Sequence, residues 1–565
     1  MTASDIAVHT LVDWVTQGDL RLPEMQRAYV WTAPRVRDLL DSLYRGYPSG
    51  VILVWEPGED VDMRAAAVET GTGLRARPLL LLDGQQRLTS LAAVLTGQPV
   101  TVRGRVKPIE ILFNLDHPDE LMSVTDVDEQ SDTDAENAAD SEETFMTRLN
   151  RRTFVVEAKF IEAESNWVRV SDILAKKKSD AELLAKAGVT RLDDPNYTKY
   201  STRLQAVRNI ADYQYRVETL EPSQSYQEVT EIFVRVNSLG AKLRSSDLAL
   251  AQITATWRGS LDKFTQYQKT VASHGFDLDL GIFLRTMVAL ITDQSRFRSI
   301  SSVGIDELRA GWDRTMKAFD HATNFAVSAA GIDSPTLLSS PLLLVTAAYW
   351  SDHTGYQPSS EEADGFRRWL LLANAKGRYS RGSSETLLDQ DLVAIRSENP
   401  IDALQNRLVQ QVGRLDFASS DLEGRSVNSG AFKTMFLMYK DDGARDWATH
   451  LPISAKHSGK SDAIEFHHIY PQAMLKEERK DLVPTQINDI ANMAFIGAET
   501  NKHIGKRPPA DYKHDFEPQA LELQQVIIPD GSGHSSDFEQ FITSRRQAIA
   551  ERLNRFLEAT GGDVP

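Results

Sequence analysis

Two adjacent histidines near the C-terminus have the residue types and the setting for chemistry at a bound metal ion. His467 and His468 lie in the apolar stretch Phe466–Tyr470, which Pro471 follows, and six of the twelve histidines fall between positions 450 and 514. Aromatic and β-branched residues favour a strand, and a proline ends one because it has no N–H for the ladder. Neighbouring strand residues point to opposite faces, so we expect one histidine to face a cleft while the other is held from behind.

Amide side chains follow the histidine pair at spacings that suit a second strand and then a helix. Asn492 lies in the mostly apolar run 491–496, which predicts the strand, and Asn501 lies nine residues further on in a predicted helix, 500–504, that Gly505 ends. Imidazole nitrogens and amide oxygens are both ligands for divalent ions. The pattern therefore indicates a one-metal nuclease site, although the residues alone leave a structural role for the histidine pair equally open.

A second chemical stretch lies near the N-terminus. The four leucines 79–82 form a short apolar run that suits a buried strand, and from Gln85 onward apolar residues recur at helical spacing. Asp83 and Gly84 therefore predict a tight strand-to-helix turn. A helix N-terminus attracts phosphate, Arg87 stands in the first turn, and Asp83 could contact a metal-bound water or a ribose. A capped helix with a solvated arginine explains the same residues.

A third stretch sets polar residues beside aromatic ones. Gln26 and Arg27 are followed by Tyr29 and Trp31. These side chains could line a pocket that senses a ligand or belong to a nucleotide site, and their spacing does not separate the two.

Length and periodicity predict several domains. A chain of 565 residues is too long for one core. Strand and helix signals mix in residues 1–255, helical spacing dominates 256–425, and both return in 426–565, where a further strand is predicted at 521–527. Arg378, in the helical region, could contact a phosphate or lie in a solvated turn, and the sequence does not separate the two. We predict a multidomain α+β protein with an all-helical middle domain.

Charge and composition limit the possible partners. The net charge of −17 argues against a general DNA-coating protein but allows a local groove, since nine of the acidic residues lie in the predicted loop 126–143. The absence of cysteine excludes disulfides and a cysteine-ligated zinc. No signal-peptide pattern or membrane-length apolar run is present, so we expect a cytoplasmic protein without a membrane partner.

The C-terminal residues resemble the ββα-metal, or HNH, nucleases. The resemblance implies that His468 is the general base, that His467 and Asn501 hold the metal ion, and that Asn492 fixes the loop by bonding backbone. The family signature has a final histidine where this chain has Gly505, four residues after Asn501. One histidine and one asparagine, completed by phosphate and water, suit Mg²⁺ or Mn²⁺.

The first 255 residues resemble the N-terminal domain of GmrSD-type enzymes, which is related to the ParB and sulfiredoxin fold. The matching motifs are Gln26-Arg27-x-Tyr29-x-Trp31, Asp83-Gly84-Gln85-Gln86-Arg87 and Phe233-x-Arg235-x-Asn237-x-x-Gly240. The resemblance implies binding and hydrolysis of a nucleoside triphosphate, often GTP, coupled to DNA cleavage. The nucleotide-binding residues would be Asp83, Gly84, Gln85, Gln86 and Arg87.

The two resemblances together predict a type IV restriction enzyme of phage defence. Its N-terminal domain would bind GTP or another nucleoside triphosphate and sense modified double-stranded DNA, with phosphorothioate or modified cytosine as the mark and a DNA-modification system as a partner. Its C-terminal HNH domain, residues 426–565, would nick the DNA. The alternative is a nucleotide-controlled DNA-binding sensor whose HNH-like domain is catalytically silent.

Overall fold

The structure, a computed structural model, does not describe every residue of the chain. The residues described are 2–23, 31–58, 63–64, 78–98, 100, 102, 108–119, 149–157, 161, 164–239, 245–456 and 463–559. Three predicted sensing residues, Gln26, Arg27 and Tyr29, lie outside these ranges, as do Gly240 and the acidic stretch 126–143.

Backbone contacts divide the chain into two compact units, Met1–Leu261 and Asp262–Pro565. The first combines strands and helices and the second is largely helical, which is consistent with the predicted multidomain α+β class. The predicted border between a helical domain and a nuclease domain, at residues 425 and 426, falls inside the second unit. The three-domain division stays a prediction.

The first unit contains nine strands among its described residues. The strands are β1 (Thr2–Ala7), β2 (Leu20–Pro23), β3 (Ile52–Trp55), β4 (Met63–Arg64), β5 (Leu79–Asp83), β6 (Ile111–Asn114), β7 (Phe154–Val156), β8 (Trp167–Arg169) and β9 (Gln214–Leu220). The helices are α1 (Val8–Gln17), α2 (Ala33–Tyr44), α3 (Gln85–Leu95), α4 (Val170–Leu174), α5 (Asp180–Lys186), α6 (Tyr197–Arg208), α7 (Tyr226–Leu239) and α8 (Ser245–Thr256).

A mixed six-stranded sheet organises the first unit, with the order β1-β9-β3-β5-β2-β4. Alternate leucines of β5 enter two separate cores: Leu79 and Leu81 pack in one cluster, and Leu80 and Leu82 pack in another with Phe233 of α7. Since successive strand residues point to opposite faces, the run of four leucines reflects a strand covered on both sides. Strands β6, β7 and β8, which come between β5 and β9 in the chain, form a separate three-stranded antiparallel sheet with the order β7-β6-β8.

The second unit is built mainly from helices. Those before its strand pair, including one that begins at the border, are α9 (Ser260–Ser273), α10 (Leu280–Thr292), α11 (Ile305–Ala330), α12 (Leu342–His353), α13 (Ser360–Lys376), α14 (Ser384–Ile395), α15 (Pro400–Val412) and α16 (Gly430–Asp441). Residues 260–425 are all described by the structure, and helices but no strands begin within this range. The helical middle region is therefore confirmed at the level of secondary structure.

An antiparallel strand pair follows, β10 (Ile464–His468) with β11 (Met493–Gly497). The remaining helices are α17 (Gln472–Glu478), α18 (Pro484–Ile487), α19 (Ala498–Ile504), α20 (Pro509–Tyr512), α21 (Pro518–Glu522) and α22 (Phe538–Glu558). The two strands and the helix after them, predicted from the apolar runs and Gly505, are confirmed, whereas the segment between the strands, predicted as a loop, contains α17 and α18.

The strand predicted at 521–527 is wrong. Those residues form the end of α21 and turns. The Gln524 side chain takes the place of a neighbouring strand, since its Nε2 donates to the Phe495 carbonyl at 2.9 Å and its Oε1 accepts from the Phe495 N–H at 2.8 Å. Arg545 Nη2 donates to the Gln524 backbone carbonyl at 2.8 Å, so this carbonyl is not available for pairing with a strand.

Among the described residues, the chain has no helix that combines the length and the apolar character needed to cross a membrane.

Candidate active site

The strand pair and the helix after it bring the predicted metal ligands together. His467 lies opposite Ala494 in the register of β10 and β11, and α19 begins directly after β11. Gly505 ends α19 with a φ of +62°, a conformation that favours glycine. Asn501 on this short helix thereby reaches His467, 34 residues earlier in the chain, and its Oδ1 lies 2.7 Å from His467 Nδ1.

Glu465 completes this contact on the other side of Asn501. Asn501 Nδ2 donates to Glu465 Oε2 at 2.6 Å, so the two ends of one amide touch two residues of the same strand. Glu465 was not among the residues predicted from the sequence, although its spacing of two from His467 on a predicted strand was the available signal.

The second ring nitrogen of His467 has no hydrogen-bond partner among the described residues. Nε2 is buried, and the ring meets Trp447 and Tyr512 edge-on, with centroids 5.8 and 5.7 Å away. Burial lowers the pKa of His467 to about 4; the Asn501 hydrogen bond raises it and the nearby charge of His468 lowers it further. The ring is therefore neutral at pH 7 and carries one N–H.

Neither neutral tautomer of His467 satisfies this setting. A proton on Nδ1 leaves Nε2 as a buried acceptor without a donor. A proton on Nε2 leaves that N–H without an acceptor among the described residues and sets two acceptors, Nδ1 and Asn501 Oδ1, facing each other at 2.7 Å. A divalent ion would satisfy both acceptors, because Mg²⁺ ligand distances of about 2.0–2.1 Å allow one ion to contact them together. The donor chemistry of His467 and Asn501 therefore fits a metal ion.

The site has few protein ligands to offer. Within the part of the chain that the structure describes, no group of three or more histidine, cysteine, aspartate or glutamate side chains is arranged to hold a metal. An ion at His467 and Asn501 would thus complete its shell with water or substrate, as the set of one histidine and one asparagine implies.

His468 faces a different set of polar groups. Its Nε2 lies 3.0 Å from Asn488 Oδ1 and 3.0 Å from Gln472 Nε2, and Gln472 also donates to the same Asn488 oxygen. Burial lowers the pKa of the half-buried His468; the Asn488 hydrogen bond raises it and the charge of Lys476 lowers it. A neutral imidazole at pH 7 is the form that accepts a proton.

Asn492 bonds backbone on both sides of the loop that follows the histidines. Its Nδ2 donates to the Tyr470 carbonyl at 3.1 Å and the Ile487 carbonyl at 3.0 Å, and its Oδ1 accepts from the Tyr470 N–H at 2.9 Å. The side chain is fully buried. It holds the loop against the end of β10. The catalytic roles of His467, His468, Asn492 and Asn501 stay predictions.

At the predicted phosphate site, β5 ends at Asp83 and α3 begins at Gln85. Gly84 between them has a φ of +98°, and a Cβ there would lie 2.3 Å from Ile52 Cδ1. Both the backbone conformation and the close approach of Ile52 therefore require glycine. The predicted strand-to-helix turn is confirmed.

The Arg87 guanidinium bonds groups of the protein itself. It donates to the Ser49 carbonyl at 2.6 Å, to the Val51 carbonyl at 2.9 Å and to Asp83 Oδ2 at 2.8 Å. Gly50 lies beneath it, where a Cβ would be 2.4 Å from Arg87 Nη1. The structure thus adds a role that was not predicted from the sequence, the fixing of the loop 49–51, and a phosphate contact by Arg87 stays a prediction.

The third chemical stretch meets the second through Trp31. The backbone N–H of Trp31 donates to Gln86 Oε1 at 3.2 Å, while Gln85 beside it is buried. In the third matching motif, Arg235 is exposed and pairs with Glu231 one turn earlier on α7. These contacts bring Trp31 to the Asp83–Arg87 turn, and its role in sensing or nucleotide binding stays a prediction.

Comparison with known proteins supports the N-terminal resemblance. Residues 8–254 match the family model described as GmrSD restriction endonuclease, N-terminal domain, and this match spans most of the first unit. An uncharacterized protein of Methanocaldococcus jannaschii is 24% identical over 609 aligned residues, which cover 97% of this chain and 95% of that protein. This similarity concerns residues 8–254; the HNH assignment of the C-terminal region stays a prediction.

Proposed function

We propose that this protein is a nucleotide-dependent restriction endonuclease that nicks modified double-stranded DNA in phage defence. The observation that carries the proposal is the placement of Asn501 Oδ1 2.7 Å from His467 Nδ1 at the end of the strand pair that also carries His468. The similarity of residues 8–254 to the N-terminal domain of GmrSD restriction endonucleases supports the same class.

His468 acts as the general base. His468 Nε2 lies 3.0 Å from both Asn488 Oδ1 and Gln472 Nε2, so it either donates to the first or accepts from the second. We propose the tautomer in which Nε2–H donates to Asn488 Oδ1, which has two lone pairs and also accepts from Gln472. This tautomer leaves the lone pair on His468 Nδ1, which takes a proton from the attacking water. Since burial keeps the imidazole neutral at pH 7, the base is ready without a prior proton loss.

His467 and Asn501 hold the divalent ion, Mg²⁺ or Mn²⁺. When bound, the ion neutralises the negative charge that develops on the scissile phosphate. Burial against Trp447 and Tyr512 keeps His467 uncharged and orients Nδ1 toward Asn501. Asn492 keeps the loop in place by bonding Tyr470 and Ile487.

The Asp83–Arg87 turn binds GTP or another nucleoside triphosphate. The N-terminus of α3 attracts phosphate through its partial positive charge and its backbone N–H groups. Arg87 maintains the turn through its bonds to Ser49, Val51 and Asp83. The contact between the Trp31 backbone and Gln86 supports a part for Trp31 beside this turn. Gln26, Arg27 and Tyr29 would act with Trp31 in sensing the DNA mark or in binding the nucleotide.

The test is nicking of supercoiled plasmid DNA prepared in plain, phosphorothioated, methylated-cytosine and glucosylated-cytosine forms. Each form is incubated with Mg²⁺ or Mn²⁺, with and without GTP, and phosphate release is followed in parallel. We expect metal-dependent nicks that GTP and one modification stimulate, and loss of nicking in His468→Ala. Undiminished nicking in that variant would refute the assignment of the base.

A second function, a nucleotide-controlled DNA sensor with a silent nuclease fold, is favoured by one observation. No group of three or more histidine, cysteine or acidic side chains is arranged to hold a metal among the described residues, and Gly505 stands where the HNH signature has a histidine. This function predicts GTP hydrolysis and DNA binding on the same plasmids without any strand break in Mg²⁺ or Mn²⁺.

A further inference from the structure

Glu465 is an acidic residue of the strand that carries His467, and it has no part in the chemistry described above. Residues two apart on a strand share a face, so Glu465 and His467 both point toward α19. Asn501 bridges them: Nδ2 donates to Glu465 Oε2 at 2.6 Å, and Oδ1 lies 2.7 Å from His467 Nδ1. The order of contact is thus carboxylate, amide, imidazole.

We propose that Glu465 is a positioning residue that keeps the oxygen of the Asn501 amide turned toward His467. The inference rests on the proposed metal site at these two residues. An ionised carboxylate has only acceptors, so the group of Asn501 that faces it must be the NH₂. The oxygen then faces His467, where it can bind the metal ion together with the imidazole.

The positioning matters because the amide has an alternative orientation that His467 would accept. The oxygen and nitrogen of an amide have nearly the same shape, so Asn501 can turn over within the same space. When Nε2 of His467 carries the proton, a reversed Asn501 would donate its NH₂ to Nδ1. That hydrogen bond would occupy the lone pair of Nδ1 and turn the Asn501 oxygen away from the site. Glu465 opposes this orientation through the stronger, charge-assisted bond to the NH₂.

The position of Glu465 allows a substitution that leaves the fold intact. Its side chain is exposed, unlike the buried ring of His467. In Glu465→Gln the shape is kept, but the new amide can either donate to or accept from Asn501, so both orientations become possible. We expect Mn²⁺ affinity of the full-length protein, measured as free ion by electron paramagnetic resonance, to fall about 10- to 100-fold, the usual range for such supporting residues.

Nicking gives a second measurement that separates binding from chemistry. In Glu465→Gln the Mn²⁺ concentration for half-maximal nicking should rise by the same factor as the dissociation constant. The rate at saturating Mn²⁺ should stay within a few-fold of the unsubstituted protein, because His468 is unchanged. Glu477→Gln, at an exposed glutamate of α17, is the matched control and should change neither quantity.

A double substitution distinguishes a positioning residue from a metal ligand. Asn501→Asp offers an oxygen to His467 in either orientation, so Glu465 has nothing left to select. On that background Glu465→Gln should leave Mn²⁺ affinity unchanged or improve it by removing the repulsion between two carboxylates. A further loss of affinity there would show direct ligation by Glu465 and overturn the inference.

The remaining outcomes separate this inference from the proposed function. If the unsubstituted protein binds Mn²⁺ and nicks DNA while Glu465→Gln keeps the same Mn²⁺ affinity, the positioning role is wrong and the metal site stands. If the unsubstituted protein neither binds Mn²⁺ nor nicks any of the plasmids, the proposed function and the inference are both overturned.

Discussion

Arg546 on α22 binds the carboxylate of Asp489, with Nη2 2.8 Å from Oδ2. Asp489 is fully buried, and its Oδ1 also accepts from the Ala491 N–H at 2.9 Å. The pair therefore ties the last helix of the chain to the loop that carries Asn488 on one side and Asn492 on the other. The loop around the proposed base is held from behind by residues more than fifty positions away.

Breaking this pair should destabilise the loop much more than breaking an exposed pair. We expect Asp489→Asn to lower the local free energy of unfolding by about 3 kcal/mol, because Arg546 loses its buried partner. The measurement is hydrogen exchange of peptides covering residues 488–497. Asp481→Asn removes one of the two exposed carboxylates that pair with Arg479 and should cost below about 1 kcal/mol. Equal protection in the two variants would contradict the argument.

Asn492 should be the most sensitive asparagine of the site for stability. Asn492→Ala leaves the Tyr470 N–H without its acceptor and the carbonyls of Tyr470 and Ile487 without their donor, all in the interior. We expect a loss of about 2–4 kcal/mol in the same exchange experiment. Asn488→Ala is the control, since water replaces the bonds of an exposed side chain, and it should cost below about 1 kcal/mol.

The elements of the site followed from local patterns in the sequence. The run of leucines before Asp83 and Gly84 predicted β5 and α3, and the apolar residues around His467 and Asn492 predicted the strand pair. Such patterns depend on neighbours within a few residues, which the sequence displays directly. The match of residues 8–254 to the GmrSD N-terminal domain agrees with the motif-based resemblance there.

The partners of the polar side chains did not follow, because they lie far apart in the chain. Arg378 was open between a phosphate contact and a solvated turn, and both interpretations are wrong: it is buried and binds Asp391 through two nitrogens. The Gln524 amide that replaces a strand neighbour of Phe495 likewise has no local signature. Amphipathic periodicity indicates which face is buried, whereas a polar pair within the interior depends on how helices pack.

The rate of nicking should depend on pH through His468. Burial lowers the pKa of its imidazole below the ordinary value of 6.5, and the charge of Lys476 acts in the same direction, against the hydrogen bond to Asn488. Because the neutral ring is the base, the rate should be constant above that pKa and fall as pH drops through it. The expected acid limb of the rate profile, at saturating Mn²⁺, therefore lies below pH 6.5.

Two substitutions test the origin of this limb. Lys476→Met removes a positive charge, so the pKa of His468 should rise and the limb should move to higher pH. His468→Ala should lower the rate about 10²- to 10⁴-fold and abolish the limb, as expected for loss of a general base. A limb that stays in place in Lys476→Met would show that another group controls it.

Gly50 and Arg87 should behave as one structural unit. A Cβ on Gly50 would lie 2.4 Å from Arg87 Nη1, and the residue has a φ of +91°, so Gly50→Ala both strains the backbone and displaces the guanidinium. Arg87→Ala removes the bonds to Ser49 and Val51 directly. We expect each substitution to lower the local stability of the loop by about 1–3 kcal/mol.

The double variant should lose less stability than the sum of the two single variants, because displacing the guanidinium has no cost once Arg87 is absent. The measurement is a double-mutant cycle read by hydrogen exchange of peptides covering residues 46–55. Gly46→Ala is the matched control: Gly46 has a φ of +70° and a Cβ there would meet nothing within 4 Å, so its strain should add fully to that of Arg87→Ala. Full additivity of Gly50→Ala with Arg87→Ala would show that the guanidinium moves away freely and would contradict the coupling between the two residues.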